Sequence, residues 1–274
     1  MAAPVSPSAA RPASEMIGFD GVSVVFDTPK GQVVALDDVS FSIPEGEFAS
    51  VIGPSGCGKT TIFNILGGFL QGNSGEIRLE GKPLQQSATD VGLVFQEDAA
   101  FPWRSALDNV AFPLELKGVG KEERHARARE FLQMVGLSGF EDKYPAELSG
   151  GMRQRVSLAR TLVTQPKVLL MDEPFAALDE QTRLLIGDKI TTIHNEMKQT
   201  TMLITHNITE AVQLSDRVLV MTYRPGRIKK VVEIDLPWPR TSEILGSEKF
   251  GQYVAAIWDD LRVEASRGLE AQGA

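Results

Sequence analysis

Residues 48–61, Phe48-Ala49-Ser50-Val51-Ile52-Gly53-Pro54-Ser55-Gly56-Cys57-Gly58-Lys59-Thr60-Thr61, decide how the rest of the chain is read. Phe48 to Ile52 is a short apolar run of the kind that makes a buried strand, and Thr60 to Leu66 has helical character until Gly67-Gly68 stops it. Between them, Gly53 to Thr60 fits G-x-x-x-x-G-K-[ST]. Its glycines let consecutive backbone N–H groups turn inward around an anion, which side chains bearing Cβ atoms would hinder. Lys59 is then placed to neutralise terminal phosphates, and the Thr60 hydroxyl to ligate Mg²⁺. An ordinary glycine turn would need neither the lysine nor the flanking strand and helix.

Two further stretches point to the same chemistry. Val168-Leu169-Leu170-Met171-Asp172-Glu173 is a buried strand ending in two acids, and adjacent side chains at a strand end aim in different directions. Asp172 is expected to face Mg²⁺, and Glu173 to act on the attacking water as general base. Leu148-Ser149-Gly150-Gly151-Met152-Arg153-Gln154 precedes a helix pattern with Val156, Ala159 and Val163 on one face, so Ser149 sits where an N-cap belongs. Gly150 and Gly151 would leave that N-terminus bare, a second element able to meet an anion with backbone N–H groups.

Outward from these motifs, order is expected to begin near Ile17, after a disordered lead over residues 1–15. Strands are predicted at Val22 to Phe26, at Val33 to Ile43 with a break at Asp37-Asp38, at Glu76 to Leu79 and at Val91 to Phe95. From about Glu97 to Gln165 the pattern turns helical, as in Lys121 to Gln133 with Ala126, Ala128, Phe131, Leu132 and Val135, which reads as an inserted helical subdomain. Strands return at Val168 to Met171, Thr201 to Thr205 and Arg217 to Met221, with helices between. Such alternation implies an α/β core with a mainly parallel sheet. Residues 235–274 read as an extension with one amphipathic helix, Phe250, Val254, Ile257, Trp258 and Leu261 sharing a face.

Composition limits the alternatives. The 274 residues suggest two domains or one large α/β domain with an insertion, and 42% hydrophobic with 23% charged residues is a globular balance. Lys plus Arg number 28 against 36 Asp plus Glu, a net charge of -8, which disfavours a sequence-independent grip on nucleic acid. The single cysteine, Cys57, can make no internal disulfide, and no apolar run reaches the length of a membrane span.

Taken together and in order, these motifs resemble the ATP-binding subunits of ABC transporters over about residues 17–234. The Walker A loop is Gly53 to Thr60, the Q-loop glutamine is Gln96, the signature is Leu148 to Gln154, and the Walker B strand is Val168 to Glu173. Ala177-Leu178-Asp179 is similar to the D-loop and Ile204-Thr205-His206 to the switch histidine; Phe26 falls where the family stacks an aromatic on adenine, usually Tyr. Phe101-Pro102-Trp103, the run Met171 to Asp179 and Arg224-Pro225-Gly226-Arg227 resemble the importer branch for nitrate, sulfonates, taurine and bicarbonate.

The resemblance implies a P-loop NTPase (RecA-like) core with an antiparallel β subdomain and an inserted helical subdomain, and an ATPase that drives import of a small anion or organic molecule. Nucleotide contacts are expected from Phe26, Gly53, Ser55, Gly56, Cys57, Gly58, Lys59, Thr60, Thr61, Ser149, Gly150, Gly151 and Asp179. Catalysis falls to Glu173, His206 and Gln96, and Mg²⁺ to Thr60, Gln96 and Asp172. The implied partners are a membrane permease, a second ATPase subunit facing the first head to tail as a homodimer, and indirectly an external binding protein. That places the chain on the cytoplasmic face of the inner membrane.

Ala99, Ala100, Phe101 and Trp103 would line the groove for a permease helix, and a bulky reagent on Cys57 would block ATP. Arg124, Arg127 and Arg129, and Lys229 with Lys230, read as solvated faces. The alternative class is an ABC ATPase of DNA repair. Such chains carry long coiled coils or zinc modules between Walker A and signature, where this gap is short.

Overall fold

A computed structural model describes residues 14–29, 31–87 and 90–272. The expected lead lies outside the described residues up to residue 13. Glu15, counted with that lead, already stands in a strand. The strands in chain order are β1 (Glu15–Thr28), β2 (Gly31–Pro44), β3 (Phe48–Ile52), β4 (Ser74–Leu79), β5 (Lys82–Pro83), β6 (Val91–Val94), β7 (Val168–Asp172), β8 (Thr200–Thr205), β9 (Arg217–Met221) and β10 (Ile228–Glu233). The helices are α1 (Lys59–Leu66), α2 (Ala106–Leu116), α3 (Lys121–Met134), α4 (Gly150–Leu162), α5 (Glu180–Met197), α6 (Ile208–Leu214) and α7 (Glu248–Gln272).

The strands form two sheets. One is antiparallel in the order β2-β1-β4-β5; the other runs β10-β9-β3-β8-β7-β6, parallel throughout except for β10 on β9. Every residue of β3, β7 and β8 is buried, as a sheet covered on both faces requires. The two-residue period sorts β7 between layers. Leu169 and Met171 join the core shared with α2, α3, α4 and α5, while Val168 and Leu170 join the one built from α1 and the β1/β2 hairpin. A third cluster seats Ile257, Leu261 and Phe250 of α7 against α6 and Val218 and Val220 of β9.

Several local expectations need correction. The break expected at Asp37-Asp38 is a bulge inside a continuous strand: the pairing slips between Val22/Val39 and Val24/Leu36, and Asp38 takes φ 52°. On α7, Trp258 is 55% exposed while its neighbour Ile257 is buried, so Trp258 leaves the packed face. Ala126 is likewise exposed on α3.

The expected solvated faces are partly engaged. Arg124 donates to Val119 O at 3.2 Å and Arg127 to Val163 O at 3.4 Å. Lys230 pairs with Asp260 at 3.1 Å and Lys229 with Glu264 at 3.3 Å, so both lysines of this exposed edge strand are tied to α7 by ion pairs.

Candidate functional site

The chain leaves the buried strand β3 at Ile52 and enters α1 through Gly58, whose φ of 99° belongs to the left-handed region. A Cβ there would stand 2.6 Å from Leu36 Cδ2 of β2, so glycine is required both by the turn and by the hairpin lying against it. The loop wraps its own lysine: Lys59 Nζ donates to Gly53 O at 2.8 Å and Pro54 O at 3.1 Å. Around it opens a cleft of about 350 Å³ lined by Phe26, Val33, Ala35, Ser55, Gly56, Gly58, Lys59, Thr60, Thr61, Glu173 and Arg224. Phe26 pairs with Val33 across the hairpin and is 39% exposed, an apolar wall at one end of a cleft whose other end is a cationic glycine loop.

β7 delivers only the first of the two acids, and the turn that follows it delivers the second, so their divergence comes from that turn and not from strand alternation. Asp172 ends the strand and is 8% exposed; burial raises its carboxyl above the ordinary value, opposed by a hydrogen bond with the Thr60 side chain. Glu173 leaves the strand at φ 46°, a conformation uncommon outside glycine, while its N–H still donates to Ile204 O at 2.9 Å. The turn points its carboxylate at two other predicted residues. Glu173 Oε2 lies 3.2 Å from His206 Nδ1 and 3.5 Å from Gln96 Nε2.

The residues fit a hard divalent cation of the magnesium type. Thr60 and Asp172 offer oxygen donors side by side, and no cluster of three or more His, Cys, Asp or Glu occurs among the described residues. A cation of that type takes one or two protein oxygen ligands and completes its shell with phosphate and water.

The second anion element lies elsewhere. Ser149 caps α4, accepting from Met152 N–H at 3.3 Å, and Asp179 caps α5, accepting from Thr182 N–H at 2.9 Å. None of Ser149, Gly150, Gly151 and Asp179 lines the cleft. Gly150 is open, but the reason for Gly151 is different from bareness. A Cβ there would stand 2.5 Å from Leu178 Cδ2, so this glycine admits the segment before α5.

Cys57 departs furthest from expectation. Although it belongs to the loop, its side chain is fully buried beneath it, does not line the cleft, and its thiol is pushed up in pKa by burial, with Lys59 at 3.8 Å opposing. A thiol so placed is a core side chain, and the expected reagent block has no route to it. Gly53 also serves the site through its carbonyl rather than by lining the cleft.

Three features were not read from the sequence. Arg224 reaches into the cleft and donates from Nε to Gly56 O at 3.0 Å; its only signal was an arginine before Pro225-Gly226. The helix after Ser149 also grips the segment around Gln96: Gln154 Nε2 donates to Phe95 O at 2.9 Å, Arg153 pairs with Asp98 at 2.8 Å and Arg160 donates to Ala99 O at 2.7 Å. Lastly, Arg183 of α5 donates to Leu178 O at 3.1 Å and pairs with buried Glu210, which accepts from Thr205 Oγ1 at 2.6 Å beside His206. In the first two cases the partners lie 55 or more residues apart and leave no local pattern to find.

Known proteins resemble this chain in sequence and in fold. The ABC transporter family profile matches residues 36–176. An ABC transporter ATP-binding protein of Methanocaldococcus jannaschii is 46% identical over 251 residues, 92% of this chain and 93% of that one. The taurine import ATP-binding protein TauB of Rhizobium johnstonii is 48% identical over 226 residues, 82% of this chain and 86% of its own. The aliphatic sulfonates import ATP-binding protein SsuB of Bacillus cereus is 41% identical over 225 residues, 82% and 88% respectively. Among solved structures, a dimeric ATP-binding cassette in a post-hydrolysis state bound to ADP and Pi superposes with a TM-score of 0.74 at 31% identity, covering 81% of this chain and all of that one. The chain, with its cleft built on a lysine-bearing glycine loop and faced by an acid that carries a histidine and a glutamine, belongs to the ABC transporter family of ATP-binding proteins.

Proposed function

We propose that the cleft binds ATP with Mg²⁺ and hydrolyses it to power an importer for small organic anions of the sulfonate type. The observation that carries this reading is Glu173 Oε2 held 3.2 Å from His206 Nδ1 at the mouth of the Lys59 loop. Phe26 offers its ring to the adenine, and the backbone N–H groups of residues 55–61 with Lys59 take the phosphates. Thr60 and Asp172 are the residues that would hold the metal, with Gln96 as a further oxygen donor. Bound there, Mg²⁺ supplies positive charge to the phosphoryl oxygens.

Glu173 accepts the proton of a water as that water attacks the γ-phosphorus. The bond from the γ-phosphorus to its bridging oxygen breaks, and ADP and phosphate leave. His206 keeps the carboxylate aimed and contacts the γ-phosphate. Because Ser149, Gly150, Gly151 and Asp179 stand outside the cleft of their own chain, they serve the nucleotide of a second copy, in a head-to-tail homodimer that ATP closes and hydrolysis opens.

The membrane partner is proposed to seat against the segment after Gln96, where Trp103 is 71% exposed with Phe101 stacked on it at 5.5 Å. No helix among the described residues is long and apolar enough to cross a membrane. In this reading, membrane attachment at the cytoplasmic face runs through a permease, with an external binding protein choosing the substrate.

Uptake of labelled taurine and an alkanesulfonate by cells lacking the chain tests the reading. Wild type restores ATP-dependent uptake and Glu173→Gln does not; uptake undiminished by removal of the chain overturns it.

A further inference from the structure

Arg224 stands on the loop between β9 and β10, at the rim of the cleft that also holds Phe26, Ser55 and Lys59. We propose that Arg224 contacts the polyphosphate of the bound nucleotide, and that α7 sets its position through Glu264. The inference rests on the reading of this cleft as the nucleotide site and adds to it a binding residue and a role for the C-terminal helix.

The guanidinium is anchored at one edge only. Its Nε donates to Gly56 O at 3.0 Å, and the group lies so close over the loop that a Cβ on Gly56 would stand 2.8 Å from Nη2. Among the described residues no carboxylate pairs with Arg224, whose side chain lines the cleft. A planar fork with one anchored edge is a pre-organised acceptor for phosphate oxygens. Gly56, at φ 75°, is therefore needed twice, for its own conformation and for the arginine's approach.

The loop bearing Arg224 is held on three sides. Within itself, Thr222 Oγ1 donates to Pro225 O at 2.8 Å and accepts from Arg227 N–H at 3.0 Å. Toward the hairpin that carries Phe26, Gly226 N–H donates to Ala35 O and Gly226 O accepts from Asp37 N–H, both at 3.0 Å. From the far side, Glu264 of α7 is 2% exposed and accepts from Tyr223 N–H at 3.0 Å, while the Tyr223 ring packs on Gly268, 3.1 Å from where a Cβ would be. Burial pushes the Glu264 carboxyl up, yet the hydrogen bonds from Tyr223 and Lys229 and the charge of Arg267 outweigh it and leave it below the usual range. It is thus an ionised acceptor at neutral pH, holding the backbone N–H of Tyr223, the residue before Arg224. Glu264 touches no nucleotide in this arrangement; it is a positioning residue.

The test is equilibrium binding of a fluorescent ATP analogue to the full-length monomer, with thermal melts run in parallel. Arg224→Ala is expected to weaken binding by roughly 5- to 20-fold, the scale of one charge-assisted hydrogen bond at an accessible rim, with an unchanged melt. Arg224→Lys recovers part of the loss.

Glu264→Ala weakens binding by a smaller factor, and the double variant binds no more weakly than Arg224→Ala alone, because Glu264 acts through Arg224. If Glu264→Ala melts early, Glu264→Gln, which keeps one acceptor for Tyr223, takes its place in the same cycle. Wild-type affinity in Arg224→Ala overturns the inference, including the case where only ATP-driven dimerisation suffers and Arg224 serves a partner subunit instead. Additive losses overturn the role of α7. Lys59→Ala is the control: if it binds normally, the reading of the cleft fails and this inference with it.

Discussion

Glu173 and His206 come from the ends of two adjacent parallel strands, and their facing atoms stand 3.2 Å apart only because Glu173 has left the strand for φ 46°. Had the backbone continued as a strand, neighbouring side chains would alternate across the sheet. The unusual turn brings the second acid to the histidine while leaving Asp172 buried next to Thr60. Two acids adjacent in sequence thereby acquire different surroundings.

Replacing that carboxylate isolates its role. Glu173→Gln should slow ATP hydrolysis by roughly 10²- to 10⁴-fold, the usual span for loss of a general base, while ATP still binds. The variant should elute as a dimer with ATP and as a monomer without it. A monomer under both conditions would count against the head-to-tail arrangement.

Lys59→Ala removes the cation that now bridges Gly53 O and Pro54 O. Nucleotide affinity should fall by roughly 10²-fold, the scale of lost charge-assisted hydrogen bonds to phosphate, and isothermal calorimetry would read it directly. Undiminished affinity would contradict the assignment of the loop.

The buried thiol makes an opposite forecast to the one its loop position suggests. Cys57 in the folded chain should react with a maleimide many-fold more slowly than in urea, and equally slowly with and without ATP. Mass spectrometry of timed aliquots measures both. Rapid labelling that ATP prevents would place the sulfur in the cleft.

His194 provides a stability signature. Packed between Phe48 and Trp238, it is pushed down to about 4 by burial, only partly opposed by Asp216. In the unfolded chain an imidazole gains its proton below about 6.5, so between there and pH 4 the unfolded state binds more protons and acidification destabilises the fold. The loss reaches at most about 3 kcal/mol. Urea titrations of wild type and His194→Gln across that window should diverge in slope, the variant being flatter. Parallel slopes would assign the acid sensitivity to other groups.

What the sequence determined by itself is whatever its chemistry writes locally. The glycine loop between a buried strand and a helix, the two acids closing an apolar run and the serine ahead of a helix each sit within one short stretch of sequence, where spacing and backbone preference suffice. Tertiary structure decided the rest, through contacts that span the chain. It buried Cys57 beneath the loop it belongs to, gave Gly151 the side chain of Leu178 as its reason, and turned Trp258 outward while Ile257 went in. It also carried Arg224 over Gly56, 168 residues away, and set Glu264 behind it. The physical reason is one of range: a local pattern states which face of an element is apolar, but only packing states which element meets that face.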